Sequence, residues 1–248
     1  MCYHNLNVKI VAVGGGLAYG AQGYTHHGVE DLAVMRLMPN MTVVAPGDPV
    51  ETRLATKAMV NWPGPCYLPL GKAGEPTVHR VEPEFQIGKA LVVREGSDVT
   101  LISTGGMLVT AVEVSDLLAA NGVPPRVLSM HTLKPVDVGP VRKATETGLI
   151  VTIEEHTAIG GLGSAVSEVL ATEEIPLSLM TLNAGMQPVT LVGNQSYLRG
   201  LVGLEAQSIA HAVFSRLTSA RRDCPVQGNP GQPGEGRSPS RTGGRGGF

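Results

Sequence analysis

Two adjacent histidines, His26 and His27, follow an apolar run (Val8, Ile10, Val11, Ala12, Val13) that ends in Gly14, Gly15 and Gly16. An apolar run closed by glycines predicts a buried strand, and the loop at its carboxyl end is where open α/β sheets place ligands. Imidazoles there can donate to a hydroxyl or carbonyl and exchange a proton near neutral pH. The other reading, two loop histidines bonded to backbone, stays open. Lys72, in Leu70-Gly71-Lys72-Ala73-Gly74, ends another strand and is a candidate point charge for a phosphate or carboxylate; a solvated loop lysine is the alternative. Glu154-Glu155-His156 ends a third strand ahead of Gly160-Gly161-Leu162-Gly163. That grouping suggests anion binding or an ordered surface loop at a subunit contact. Gly14–Gly16 lacks the Gly-x-Gly-x-x-Gly form with a following acid, which disfavours a nicotinamide cofactor. No Ser or Cys sits in a nucleophile elbow, and no metal-ligand spacing occurs.

The elements that must position these residues alternate strand and helix. Val8–Val13 is a strand, Gly28–Met38 a helix stopped by Pro39, and Met41–Ala45 a β-branched strand. Asp48 caps a helix with Pro49 at its first position and Glu51 in its first turn, running to about Trp62-Pro63. Cys66–Leu70 is the next strand. The β-α-β-α-β order implies parallel strands with right-handed crossovers. Glu75–Glu84 is aperiodic, with two prolines, and reads as a linker. Behind it Ile87–Val93, Val99–Ser103, Val127–Met130, Leu149–Ile153 and Leu177–Leu182 read as strands. Met107–Ala120, Val138–Thr147 capped by Asp137, Gly160–Leu170 and Leu204–Leu217 read as helices, with Lys134–Asp137 as helix-start chemistry. This second unit is self-contained in pattern. The expected class is α/β, two domains with mainly parallel sheets: residues 1–74, a linker at 75–86, residues 87–218, and a Gly- and Arg-rich disordered tail at 219–248.

With 42 % hydrophobic and 16 % charged residues the chain can bury sizeable cores, and a net charge of −2 argues against a general polyanion binder. No nucleic-acid or membrane partner is expected. Three scattered cysteines, Cys2, Cys66 and Cys224, support neither a disulfide framework nor a zinc site, so a reducing cytoplasm is the simplest location.

Several stretches resemble the transketolase family. His131–Asp137, Val151–His156 and Gly160–Val166 resemble its C-terminal domain. Gly23–His27, Met38–Val43 and Leu70–Pro76 resemble its pyrimidine-binding domain, most closely in the separately encoded C-terminal subunits of split bacterial transketolases. The resemblance covers roughly residues 2–217. It implies ketol transfer between sugar phosphates, using thiamine diphosphate and Mg2+ held mainly by a partner chain, the N-terminal diphosphate-binding subunit, within a homo- or hetero-oligomer. It implies that His26 is catalytic, assisting proton transfer at the donor sugar. His27 and Gln22 would bind substrate, Gln22 where many members have an aspartate. Lys72 would stand where the family often has an arginine on the acceptor phosphate. The family's pyrimidine-protonating glutamate and ring-stacking aromatic match no residue of this chain. The chain is therefore expected to be N-terminally truncated and inactive alone, with uncovered sheet edges and either weak stability or forced association. A non-catalytic assembly or regulatory module of the same fold, and a 2-oxo-acid dehydrogenase E1 β-like subunit, are the alternatives.

Overall fold

The computed structural model describes residues 1–176 and 178–222. In chain order they form β1 (Lys9–Val13), α1 (Asp31–Leu37), β2 (Thr42–Val44), α2 (Pro49–Asn61), β3 (Cys66–Leu70), β4 (Leu91–Arg94) and β5 (Val99–Ser103). Then follow α3 (Leu108–Ala120), β6 (Pro125–Ser129), β7 (Thr132–Lys134), α4 (Val138–Lys143) and β8 (Leu149–Ile153). The remaining elements are α5 (Leu162–Thr172), β9 (Ser178–Leu182), α6 (Gln195–Leu201) and α7 (Ala206–Arg222). The tail expected at 219–248 lies outside the described residues from 223 onward; residues 219–222 belong to α7. Among the described residues no helix is long and apolar enough to cross a membrane.

The strands make two sheets, ordered β1-β3-β2-β7 and β4-β6-β5-β8-β9. Pairing is parallel except at β2–β7 and β4–β6, which are antiparallel. The α/β class with mainly parallel sheets is therefore what the chain adopts. The expected start of α2 is also present: Asp48 Oδ1 accepts from the Glu51 amide at 2.8 Å and Pro49 opens the helix.

Five expectations are corrected. The second unit is not self-contained, because β7 crosses over and pairs with β2 through Val43–Lys134 and Val44–Thr132. The apolar core is shared accordingly: Leu32, Met41, Val43 and Tyr67 pack with Ile102, Met130, Leu133, Ile150 and Val166. Ile87–Val93 is a strand only from Leu91. Gly88 takes φ +85° and Lys89 N donates to Gln86 O at 3.1 Å, a turn that extended backbone cannot make. The helix at Val138 ends at Lys143 and tightens into a 3-10 turn over Ala144–Thr147. β1 is not a buried strand: it lies at a sheet edge, paired on one side only among the described residues, with Val11 and Val13 exposed. Finally, α6 is a helix absent from the elements expected above.

Glu51 joins the lobes. It is fully buried; its Oε2 accepts from Gly47 N at 2.7 Å and from Ser129 Oγ of β6 at 3.0 Å, while Oε1 meets His79 Nε2 at 2.8 Å. Asp48 Oδ2 accepts from Val78 N and His79 N, both at 2.9 Å, so the connecting segment is stapled down. The Glu51 carboxylate hydrogen-bonded to His79 raises that imidazole's pKa above the ordinary histidine value, against the opposing effect of burial. A raised folded-state pKa contributes stability that is complete below the unfolded value and lost as pH rises through the folded one. The urea stability of the wild type less that of His79→Gln should thus be largest below about pH 6 and shrink above about pH 6.5. A difference that grows with pH would contradict the pairing.

Candidate functional site

The carboxyl ends of strands from both sheets converge. Gly15 and Gly16 follow β1, Gly71 follows β3, and Thr104 and Gly105 follow β5; together with Asp31 and Glu155 they line a cavity of about 50 Å³ between the lobes. Such strand ends are the ligand-binding side of parallel α/β sheets. Outside it, a groove of about 560 Å³ runs past Lys72, Thr110, Glu113, Gln195 and Arg199. A second groove of about 350 Å³ lies between Val13, Pro49, Thr52 and Lys72. Lys72 is exposed and stands on the rim shared by these two grooves.

Gln22, His26 and His27 share one loop between Gly16 and Gly28. Its base is clasped by Gly16 N to Gly28 O and Gly28 N to Gly16 O, both at 2.8 Å. Gln22 ends a 3-10 turn, Gly20–Gln22, and His26 ends another, Tyr24–His26. His26 is exposed, with Nδ1 3.1 Å from Thr25 Oγ1. His27 is only 8 % exposed, edge-on to Tyr24 at 6.1 Å, and neither ring nitrogen has a partner among the described residues. Burying such a group unpaired costs about 1–3 kcal/mol. Tyr24 OH donates to Glu30 Oε1 at 2.6 Å, and that bond to a carboxylate raises the phenol's pKa. The loop thus brings Gln22, His26 and His27 together and leaves Lys72 on a different strand end. None of the three loop residues lines the cavity or the two grooves.

Glu154 and His156 do something other than the sequence suggests. Glu154 is 1 % exposed and accepts from Leu162 N at 2.6 Å and Gly163 N at 2.8 Å, so the start of α5 is already filled by the chain's own carboxylate. Its burial raises its pKa although these amides oppose the shift. His156 is fully buried rather than on a surface loop; its Nδ1–H donates to Thr157 O at 2.9 Å, which leaves Nε2 to accept from Ala33 N at 3.3 Å.

Sequence reasoning singled out Glu155 but missed Gln195 and Arg199, the two residues that hold it. Arg199 donates from Nε to Glu155 Oε1 at 2.8 Å and from Nη2 to Oε2 at 3.1 Å, and Gln195 Nε2 donates to Oε2 at 2.9 Å. The available signal was Asn194, whose side chain accepts from Tyr197 N at 2.8 Å and so caps α6.

Residues 1–74 match the family described as "Transketolase, pyrimidine binding domain", and residues 88–209 the one described as "Transketolase, C-terminal domain". An apulose-4-phosphate transketolase subunit of Phocaeicola vulgatus is 40% identical over 217 residues, an alignment covering 86% of this chain and 68% of that one. The chain belongs to the transketolase family. Another relative of this transketolase-family chain is the 6-deoxy-6-sulfo-D-fructose transketolase subunit SqwH of Clostridium sp., 38% identical over 220 residues, covering 87% of this chain and 68% of that one. A solved structure described as "Split gene transketolase, inactive beta4 tetramer" superposes with a TM-score of 0.76 at 39% identity, covering 88% of this chain and 69% of that one.

The residues around the cavity do not meet the charged end of thiamine diphosphate. A Cβ on Gly14 would strike the Tyr19 ring and one on Gly16 the Glu155 carboxylate. The charged side chains lining the cavity are the carboxylic acids Asp31, Glu75 and Glu155, with no Lys, Arg or His among the described residues there to receive a diphosphate. Among the described residues no group of three or more His, Cys, Asp or Glu could hold a metal ion. The diphosphate and metal end of the cofactor therefore does not fit this transketolase-family chain.

Proposed function

We propose that this chain is the pyrimidine-domain and C-terminal-domain subunit of a two-chain transketolase. It would act with a diphosphate-binding partner subunit to transfer a ketol unit between sugar phosphates. The observation that supports this most is the 40% identity to an apulose-4-phosphate transketolase subunit along 86% of the chain. In this reading residues 1–74 form the pyrimidine-domain portion, 75–86 the linker and 87–218 the bulk of the C-terminal domain. Thiamine diphosphate with Mg2+ would supply the electron sink and would be held mainly by the partner. This chain's side chains bind and orient substrate and handle protons. His26, exposed on its loop with no bond to Nε2 among the described residues, takes or returns the proton at the donor hydroxyl. Gln22 and His27 hydrogen-bond the sugar, and the charge of Lys72 fixes the acceptor phosphate.

No residue of the 248 is assigned the role of pyrimidine-protonating glutamate, so the chain by itself is proposed to have no turnover. It would also self-associate, as the similar structure described as an inactive β4 tetramer does. The test is to purify the chain, assay sugar-phosphate interconversion alone, then add a diphosphate-binding subunit, thiamine diphosphate and Mg2+. Association of the two subunits without activity at any ratio would favour a non-catalytic module. Turnover by the 248 residues alone would overturn the assignment of the missing acid.

A further inference from the structure

The loop bearing His26 belongs by sequence to the first lobe, yet its support comes from the second. Glu155, at the end of β8, has a side chain 8 % exposed and lies against the backbone of Gly16: a Cβ there would stand 2.8 Å from Glu155 Cδ and Cγ. Gly16 is half of the clasp that closes the loop, and its φ of +63° is one only glycine adopts readily. The carboxylate cannot drift from this position, because Arg199 grips both of its oxygens and Gln195 adds a third bond. The helix that carries these two residues also underlies the loop directly. Leu198 packs with Leu17 and Val29, Gly193 N donates to Gly20 O at 3.3 Å, and a Cβ on Gly20 would meet Gly193 O at 2.7 Å as well as the Leu198 side chain.

We infer that Glu155, Arg199 and Gln195 form a positioning brace: a planar ion pair in the second lobe that sets the glycine clasp and, through it, the placement of Gln22 and His26. The requirement for a small backbone on one side and a forked cation on the other follows from the geometry. Glutamate reaches Gly16 only if its charge is neutralised where it is buried, and a guanidinium does this with two bonds where an ammonium makes one. A carboxylate held in this way against a loop base tolerates little displacement, and reacting groups lose rate steeply with small misplacement. The consequence for catalysis rests on the reading of His26 proposed above; the brace itself does not.

Backbone hydrogen exchange measures the brace without any partner or cofactor. In Glu155→Gln and Arg199→Met the amides of Gly16 and Gly28 should exchange about tenfold faster than in the wild type, the loss of one charge-assisted bond. Amides in β5 and β8 should be unchanged, and Arg199→Lys should fall between. The surface variant Arg142→Met, which breaks an exposed pair with Glu173, should leave the clasp untouched. Should Arg199→Met fail to fold, Glu155→Gln and Gln195→Ala carry the comparison. Wild-type exchange at Gly16 and Gly28 in a folded Glu155→Gln chain, or acceleration spread evenly over β8, overturns the brace. In the complex with the diphosphate-binding subunit, Glu155→Gln should lower kcat about tenfold and leave KM for the acceptor unchanged, since Lys72 is not on the loop. Loose clasp amides with unaltered kcat would keep the brace and refute the role given to His26.

Discussion

Replacing His26 with alanine in the two-subunit complex should cut ketol transfer by about two to four orders of magnitude, the usual cost of deleting a positioned acid–base group. The side chain is exposed and, among the described residues, bonded only to its neighbour Thr25, so the fold has almost nothing to lose. Thermal stability should stay within about 0.5 kcal/mol of the wild type. Loss of rate with stability retained separates a chemical role from a structural one. Equilibrium binding of the acceptor should change little, because Lys72 sits on the other strand end. Steady-state kinetics of the purified His26→Ala complex decide the matter: turnover within about twofold of the wild type removes His26 from the chemistry.

Truncating Leu133 to alanine should cost about 3 kcal/mol of stability, near the middle of the range for a fully packed leucine. Leu133 is 2 % exposed on β7, the strand that leaves the second lobe to complete the first sheet, and it sits in the apolar cluster both lobes contribute to. In a chain of this size such a loss lowers Tm by about 6–12 °C. More telling is that the two lobes should melt together. Trp62, the single tryptophan, lies in the first lobe with Nε1 bonded to Thr42 Oγ1 at 2.9 Å, so its fluorescence reports that lobe alone. Its transition should coincide with that of far-UV circular dichroism, which averages both lobes. A separate Trp62 midpoint in Leu133→Ala would show that the crossing strand does not couple them.

Much of this architecture is legible because its signals are local. Asp48, Pro49 and Glu51 announce α2 within four residues, and Cys66–Leu70 is the strand its apolar run suggests. The loop with the histidines is likewise readable as a strand-end loop from its flanking glycines. What escapes is whatever depends on distant partners. Three residues, Thr132–Lys134, have no period of their own; they are a strand only because Val43 and Val44 lie opposite them. Helix α6 has seven residues, too few to show a hydrophobic face, and owes its position to Leu198 filling the space beside Leu17 and Val29. Gly88 inside an apolar run breaks the strand expected there. The ion pair of Glu155 with Arg199 joins residues far apart in the chain, and nothing around either one marks it for the other. The burial of His156 is hidden for the same reason: its partner is the Ala33 amide of the opposite lobe.

The outermost strand of the first sheet carries a practical corollary. β1 pairs with β3 on one side and has no strand on the other among the described residues, while Val11 and Val13 stay 53% and 59% exposed. A row of free amides and carbonyls beside bare valines is a template on which further chains can stack. Handling of the purified polypeptide is therefore a colloidal problem as much as a folding one: turbidity should depend on protein concentration, since Lys9, the one charged residue of β1, has its ammonium engaged by the Trp62 and Gly64 carbonyls.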